Sequence, residues 1–227
     1  MTTPTTTNTL TAPPVAAVLT RLFAEAATTT ASLRELFGAL SPEERRARMA
    51  DRNADYRQFF HQVKDVHLAV APDTARLLYL LARAVRARSI VEFGTSFGVS
   101  TIHLAAALRD NSGGRLIGSE LEPTKVAHAR GNLAEAGLAD LVEVREGDAL
   151  DTLARDLPDP IDLVLLDGHK PLYLPVLELI ASRLRPGACL VADNADASPD
   201  YVARVRAADS GYLSLPFASE VELSIKL

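Results

Sequence analysis

The stretch SIVEFGTSFGVSTIHLAAAL, residues 89–108, decides the fold. Ser89–Phe93 is a short apolar run of strand length, and Thr101–Leu108 reads as a helix. The chain must therefore turn from strand to helix across residues 94–100. Lacking a Cβ, Gly94 and Gly98 permit a sharp bend and the close approach of a ligand to the backbone. The spacing departs from the dinucleotide fingerprint G-x-G-x-x-G: counted from Gly94, the third position is Ser96 and the sixth is Val99.

The same alternation repeats downstream. Arg115–Leu121 is a second strand with a helix over Pro123–Ala136, closed by Gly137. Val142–Arg145 is a third, followed by a helix near Ala149–Leu157. Ile161–Leu166 is a fourth, followed by a helix over Leu172–Leu184 that Pro186-Gly187 terminates, and Ala188–Ala192 is a fifth. Apolar strands alternating with helices imply a parallel sheet covered on both faces. Tyr212–Leu215 and Val221–Leu227 then read as a hairpin, the latter alternating apolar and polar side chains. The expected fold class is α/β and Rossmann-like: a mostly parallel seven-stranded sheet ending in an antiparallel hairpin, with extra helices at the N-terminus.

Upstream, a helix is expected from Pro72 or Asp73 to about Arg86, with Ala75, Leu78, Leu81 and Ala82 on one face. Ser41-Pro42-Glu43-Glu44 is a helix start, with Ser41 as cap and Glu44 completing a capping box. Val15–Leu40 suggests one or two short helices, and residues 1–14, rich in Thr and Pro, a disordered tail. Residues 15–227 then form a single domain, divided into an N-terminal helical region (15–88) and a cofactor-binding core (89–227). Leu33, Leu36, Phe37 and Phe59 give the N-terminal helices more apolar surface than they can bury alone, so a homodimer is expected.

Composition narrows the function. A net charge of −5 offers no positive field for nucleic acid or an anionic membrane, and the absence of Trp counts against base stacking. No apolar stretch reaches the length of a membrane span. The N-terminus carries no positive charge before Arg21, unlike a secretory or transit signal, which suits a cytoplasmic protein. The single Cys189 lies in an apolar run and reads as a buried strand residue.

Ligands of open parallel sheets bind at the carboxyl ends of the strands. Strand two ends with Glu120 and Glu122; either could accept hydrogen bonds from a ribose diol, and Glu120 is nearer the strand end. Asp148 ends strand three, where it could cap the next helix, accept from an adenine amino group, or do both. Asp167, at the end of strand four, and Asp193-Asn194, at the end of strand five, can converge into a hard-oxygen set suited to Mg²⁺. Lys170 follows closely enough to reach the same place and act as a base, although aspartates at strand ends also commonly cap the segment that follows. His169 could meet a ligand or sit on an exposed loop. The arginines at 45, 46 and 48 read as a solvated helix face.

With these residues in view, the sequence resembles the metal-dependent S-adenosylmethionine O-methyltransferases that include catechol O-methyltransferase and its bacterial relatives. The resemblance covers about residues 70–227 and rests on VEFGTSFGVST (91–101), GSELEP (118–123), EGDALDTL (146–153), LLDGHKPLY (165–173) and VADN (191–194), in that order. It implies a class I methyltransferase fold with S-adenosylmethionine as cofactor. It assigns the methionine part to the Glu92–Ser100 loop with Gly94, Ser96 and Ser100, the ribose to Glu120 with Leu121 beside it, and the adenine region to Asp148 and Ala149. The stretch near Ala69 and Val70, before the helix that leads into the first strand, and Asp167 would also touch the cofactor. It makes Asp167, Asp193 and Asn194 ligands of Mg²⁺ or another divalent cation, and Lys170 the catalytic base. The chain departs from the family in a short segment after Asn194 and an N-terminal region without a counterpart, both near the acceptor pocket.

The expected activity is methyl transfer to a hydroxyl of a small molecule, catechol-like or otherwise phenolic. A metal-independent methyltransferase of the same fold is the nearest alternative. A nicotinamide-dependent oxidoreductase, disfavoured by the missing fingerprint, and a non-catalytic interaction protein are more distant ones.

Overall fold

A computed structural model describes residues 8–38, 41–51, 55–217 and 220–227. Asn8 caps a short 3-10 turn, Thr9–Thr11, and Thr9 donates through its N–H and hydroxyl to Asp110. The chain is thus anchored from Asn8, so the disorder expected for residues 8–14 is not found there; residues 1–7 lie outside the described residues. Helix α1 (Pro13–Phe37) is one helix of 25 residues, begun by a proline whose missing N–H is not needed in the first turn. Before α2 (Pro42–Met49) the capping box forms: Ser41 N–H donates to Glu44 Oε2 at 2.6 Å and Glu44 N–H to Ser41 Oγ at 3.2 Å. Helices α3 (Tyr56–Gln62) and α4 (Pro72–Ala84) complete the N-terminal region. The side chains of Leu33, Leu36 and Phe37, and those of the arginines at 45, 46 and 48, lie outside the described residues.

The core alternates β1 (Ser89–Phe93), α5 (Val99–Asp110), β2 (Arg115–Glu120), α6 (Pro123–Glu135), β3 (Val142–Glu146), α7 (Ala149–Thr152), β4 (Ile161–Leu166), α8 (Tyr173–Ile180), β5 (Leu184–Ala192) and α9 (Pro199–Arg206), then β6 (Tyr212–Phe217) and β7 (Val221–Lys226). The seven-stranded sheet has the order 3-2-1-4-5-7-6. Strands β1 to β5 are parallel, and β7 runs antiparallel to both β5 and β6. The order reverses between β1 and β4, so a crevice opens beyond their carboxyl ends.

Three boundaries differ from the sequence reading. Helix α7 is a single turn, because its chain turns away after Leu153 towards β4. The expected helix 172–184 breaks into α8 flanked by 3-10 turns. Strand β5 starts at Leu184 and includes Pro186 and Gly187; the pairing jumps from Ile161–Leu184 to Leu163–Cys189, and this irregularity accommodates the proline.

Two apolar layers cover the sheet. One joins α1, α4, α5 and α6 through residues such as Leu22, Leu78, Ile102 and Leu133; the other joins α7, α8 and α9 through Leu153, Val176 and Tyr201. Cys189, in the middle of β5, is buried between its partners Leu163 and Ile225. Among the described residues, no helix is long and apolar enough to cross a membrane.

Candidate active site

The turn after β1 is shaped by close approach. Gly94 has φ +98°, and a Cβ on it would lie 2.5 Å from the Asp167 carbonyl oxygen, so only glycine fits between β1 and β4. Glu92, fully buried at the end of β1, accepts from Ser100 Oγ (2.7 Å), Thr101 Oγ1 (2.6 Å) and Thr95 Oγ1 (3.1 Å). Burial still pushes its carboxyl up to about 7. Glu120, ending β2, accepts the Ser96 N–H at 2.7 Å on one oxygen and the Glu122 N–H at 2.9 Å on the other. These bonds tie the glycine turn to β2 and hold Ser96 at φ +47°, an uncommon conformation for a residue with a side chain.

Asp148 caps α7 by accepting the Leu150 N–H at 3.0 Å. Its other oxygen accepts from the Tyr56 hydroxyl and from Arg57 at 2.9 Å. Against the opposing effect of burial, these bonds hold its pKa below the ordinary carboxylate value. The Tyr56 ring stacks on His169 with centroids 4.7 Å apart, and His61 Nδ1 lies 3.2 Å from Glu122 Oε1. Helix α3 is therefore fastened across the crevice to the ends of β2, β3 and β4. Burial, reinforced by the Lys170 charge, lowers His169 to about 4, so it is neutral near pH 7.

A cleft beneath α3 is lined by Gly94, Ser96, Glu120, Leu121, Asp148, Ala149 and Asp167 of the expected cofactor residues, and by His169. Glu92 and Ser100 stand behind it, bonded to each other. The side chain of Val70 packs into the core, and from the same segment Leu68 lines the cleft. Sequence reasoning does not reach Tyr56, Phe60 or Lys125, which also line it.

Beyond Asp167 lies the second cluster. Buried Lys170 Nζ donates to Asp167 Oδ1 (3.2 Å), the Tyr173 hydroxyl oxygen (2.7 Å) and the Asp193 carbonyl (3.2 Å), and the Tyr173 hydroxyl donates to the same carbonyl at 2.8 Å. Burial raises the Asp167 carboxyl against the pull of Lys170. Burial and repulsion from Asp167 push Asp193 up to about 7. Asn194, at φ +48°, donates Nδ2 to Glu220 Oε2 at 3.0 Å, leaving its amide oxygen as the unused atom. Among the described residues no three His, Cys, Asp or Glu side chains converge as a metal-binding group, so the candidate set remains two carboxylates and one amide oxygen. Its excess of buried negative charge fits a hard divalent cation.

The sheet order, the glycine turn and the acidic strand ends define a class I methyltransferase. A methyltransferase-domain family matches residues 91–195. The catechol O-methyltransferase of Niastella koreensis is 38% identical over 130 residues, 56% of this chain and 58% of that enzyme. The catechol O-methyltransferase of Mycobacterium tuberculosis is 40% identical over 127 residues, 56% and 57% of the two chains. This chain thus aligns with under three fifths of the length of these curated relatives. The O-methyltransferase TomG of Streptomyces achromogenes, solved with S-adenosylmethionine, is 30% identical at a TM-score of 0.64, covering 86% of this chain and 96% of its own. The chain belongs to the O-methyltransferase family that includes TomG, and the catechol O-methyltransferases are similar to it over the aligned part.

Proposed function

We propose that this chain is a Mg²⁺-assisted, S-adenosylmethionine-dependent O-methyltransferase acting on a small phenolic acceptor of the catechol type. The observation that carries the reading is the adjacency of the Glu120–Asp148 cleft to the buried Asp167–Lys170–Asp193 cluster, with Asp167 shared by both. The orphaned Ser96 hydroxyl and the glycine cradle at Gly94 suit a polar ligand held against the backbone. When bound, S-adenosylmethionine supplies a methyl group on a sulfonium, which leaves as a neutral thioether. A divalent cation held by Asp167, Asp193 and Asn194 would supply Lewis acidity towards the acceptor oxygens.

The chain's own residues do the positioning. Glu120 presents acceptors to the ribose, and the stacked His169 and Tyr56 close the crevice against water. Lys170 would accept the hydroxyl proton of the acceptor once its ammonium has passed one of its own protons to solvent, so that the oxygen can take the methyl group the cofactor supplies. Its three oxygen acceptors stabilise the ammonium that results. One observation favours a metal-free variant: Lys170 already neutralises Asp167. The deciding experiment measures methyl transfer from S-adenosylmethionine to catechol with added Mg²⁺ and with EDTA. The metal-assisted reading requires loss of transfer in EDTA and recovery with Mg²⁺; transfer that persists in EDTA selects the metal-free variant. No binding of S-adenosylmethionine by calorimetry rejects both.

A further inference from the structure

Lys125, in the first turn of α6, is 1% exposed, yet it lines the cleft. Its Nζ lies over the Phe97 ring, 5.6 Å from the centroid, a cation–π contact. Among the described residues this ammonium has no hydrogen-bond or ion-pair partner at contact distance; Glu120, Glu122, Asp167 and Asp65 attract it from further away, and burial lowers its pKa below the ordinary lysine value. A buried cation without a partner is costly, and so is a buried hydroxyl without one. The hydroxyl of Ser96 is such a group: Ser96 Oγ is buried with no partner, and Ser96 lines the same cleft. Lys125 and Ser96 thus bring a cation without a hydrogen-bond partner and an orphaned hydroxyl to the cleft that Glu120 also lines.

The charges around them select the ligand. Each Glu120 oxygen already takes one backbone N–H, and each keeps acceptor capacity. A carboxylate or phosphate here would meet Glu120 and Glu122, and an amine would meet Lys125. A hydroxyl donates and accepts at once, so it can give its proton to Glu120 and receive one from Lys125 or Ser96; two such groups side by side make a vicinal diol. We propose that Lys125 and Ser96, with Glu120, form a donor–acceptor clamp on the ribose diol of the cofactor, with Lys125 a binding residue that selects for the ribose hydroxyls. The inference rests on the cofactor reading above.

The test is titration calorimetry with S-adenosylhomocysteine and its 2′-deoxy and 3′-deoxy analogues, on the wild type, Lys125→Met and Ser96→Ala. Lys125→Met should weaken S-adenosylhomocysteine about tenfold or more, yet change by less than about twofold the analogue lacking the hydroxyl that Lys125 contacts. The melting temperature of the cofactor-free variant should equal or exceed the wild type's, because a buried unpaired charge has been removed. Lys125→Gln, still able to donate, should recover part of the affinity, and it serves as the test if Lys125→Met does not fold. Equal losses for all three ligands, no loss for any, or a lowered melting temperature with unchanged affinity would overturn the clamp. If the wild type itself fails to bind S-adenosylhomocysteine, the cofactor reading falls and the clamp with it; binding that ignores Lys125 removes the clamp alone.

Discussion

At the amino ends of the strands, Asp162 accepts the N–H groups of Arg88 (2.7 Å) and Ser89 (2.9 Å) and Arg185 Nε at 2.5 Å. Nearby, Asp110 accepts from Thr9, from the Tyr79 hydroxyl at 2.6 Å and, as an ion pair, from Arg83 at 3.3 Å. At the carboxyl ends, Glu92, Asp167 and Asp193 are as deeply set, but burial and mutual repulsion raise all three pKa values. One end of the sheet pairs its acids and gains stability from them. The other leaves them undercompensated, an arrangement that stability alone does not explain and that a bound cation or cofactor would.

Substitutions should separate the two ends. The largest effect is expected from Asp167→Asn, which should lower methyl transfer by at least about a hundredfold without lowering the melting temperature of the ligand-free protein. A parallel fall in melting temperature would place Asp167 with the structural acids. Asp162→Ala should cost roughly 2–4 kcal/mol in urea unfolding, because two backbone N–H groups and Arg185 lose their acceptor. The specific activity of its folded fraction should be unchanged; an activity loss without a stability loss would break the contrast.

Glu92→Gln sharpens it through pH. With the folded carboxyl raised from 4.5 to about 7, the folded chain holds a proton that the unfolded chain has released between those values, so stability falls as pH rises through that window. The variant should therefore melt higher than the wild type at pH 8, by a few degrees, and the difference should shrink towards pH 5. A pH-independent difference would show that Glu92 is ionised throughout. The smallest effect is expected from Tyr79→Phe: about 1 kcal/mol lost in urea unfolding, since Asp110 keeps Thr9 and Arg83.

The contrast also explains how much was legible in the chain. Prolines at 13, 42, 72, 123 and 199 begin helices, and Gly94 and Gly98 mark the turn after β1, so local chemistry announced most elements and the strand-end acids. Where a tertiary contact decided, the sequence misled: Pro186-Gly187 reads as a terminator but is absorbed in β5 by irregular pairing with β4. Tyr56 meets Asp148 across 92 residues of chain, a contact no local pattern carries. Lys125 reads as one more polar residue on α6, and only the fold shows it buried, with its ammonium over the Phe97 ring. The side chain of Val70 packs into the core, while the same segment before α4 reaches the cleft through Leu68, a distinction of inward and outward faces that no local pattern carries.

The lone Cys189 turns the fold into its own clock. Its thiol sits in the centre of the sheet, 2% exposed, and burial raises its pKa above the ordinary thiol value. Its side chain lies in the apolar layer that the sheet shares with α1, α4, α5 and α6, so a thiol-reactive reagent can reach it only when that layer opens, and the labelling rate counts those openings. With no second cysteine to confuse the signal, mass spectrometry of the unmodified chain would time those openings in a crude extract. The same clock would register how far a bound nucleoside slows them.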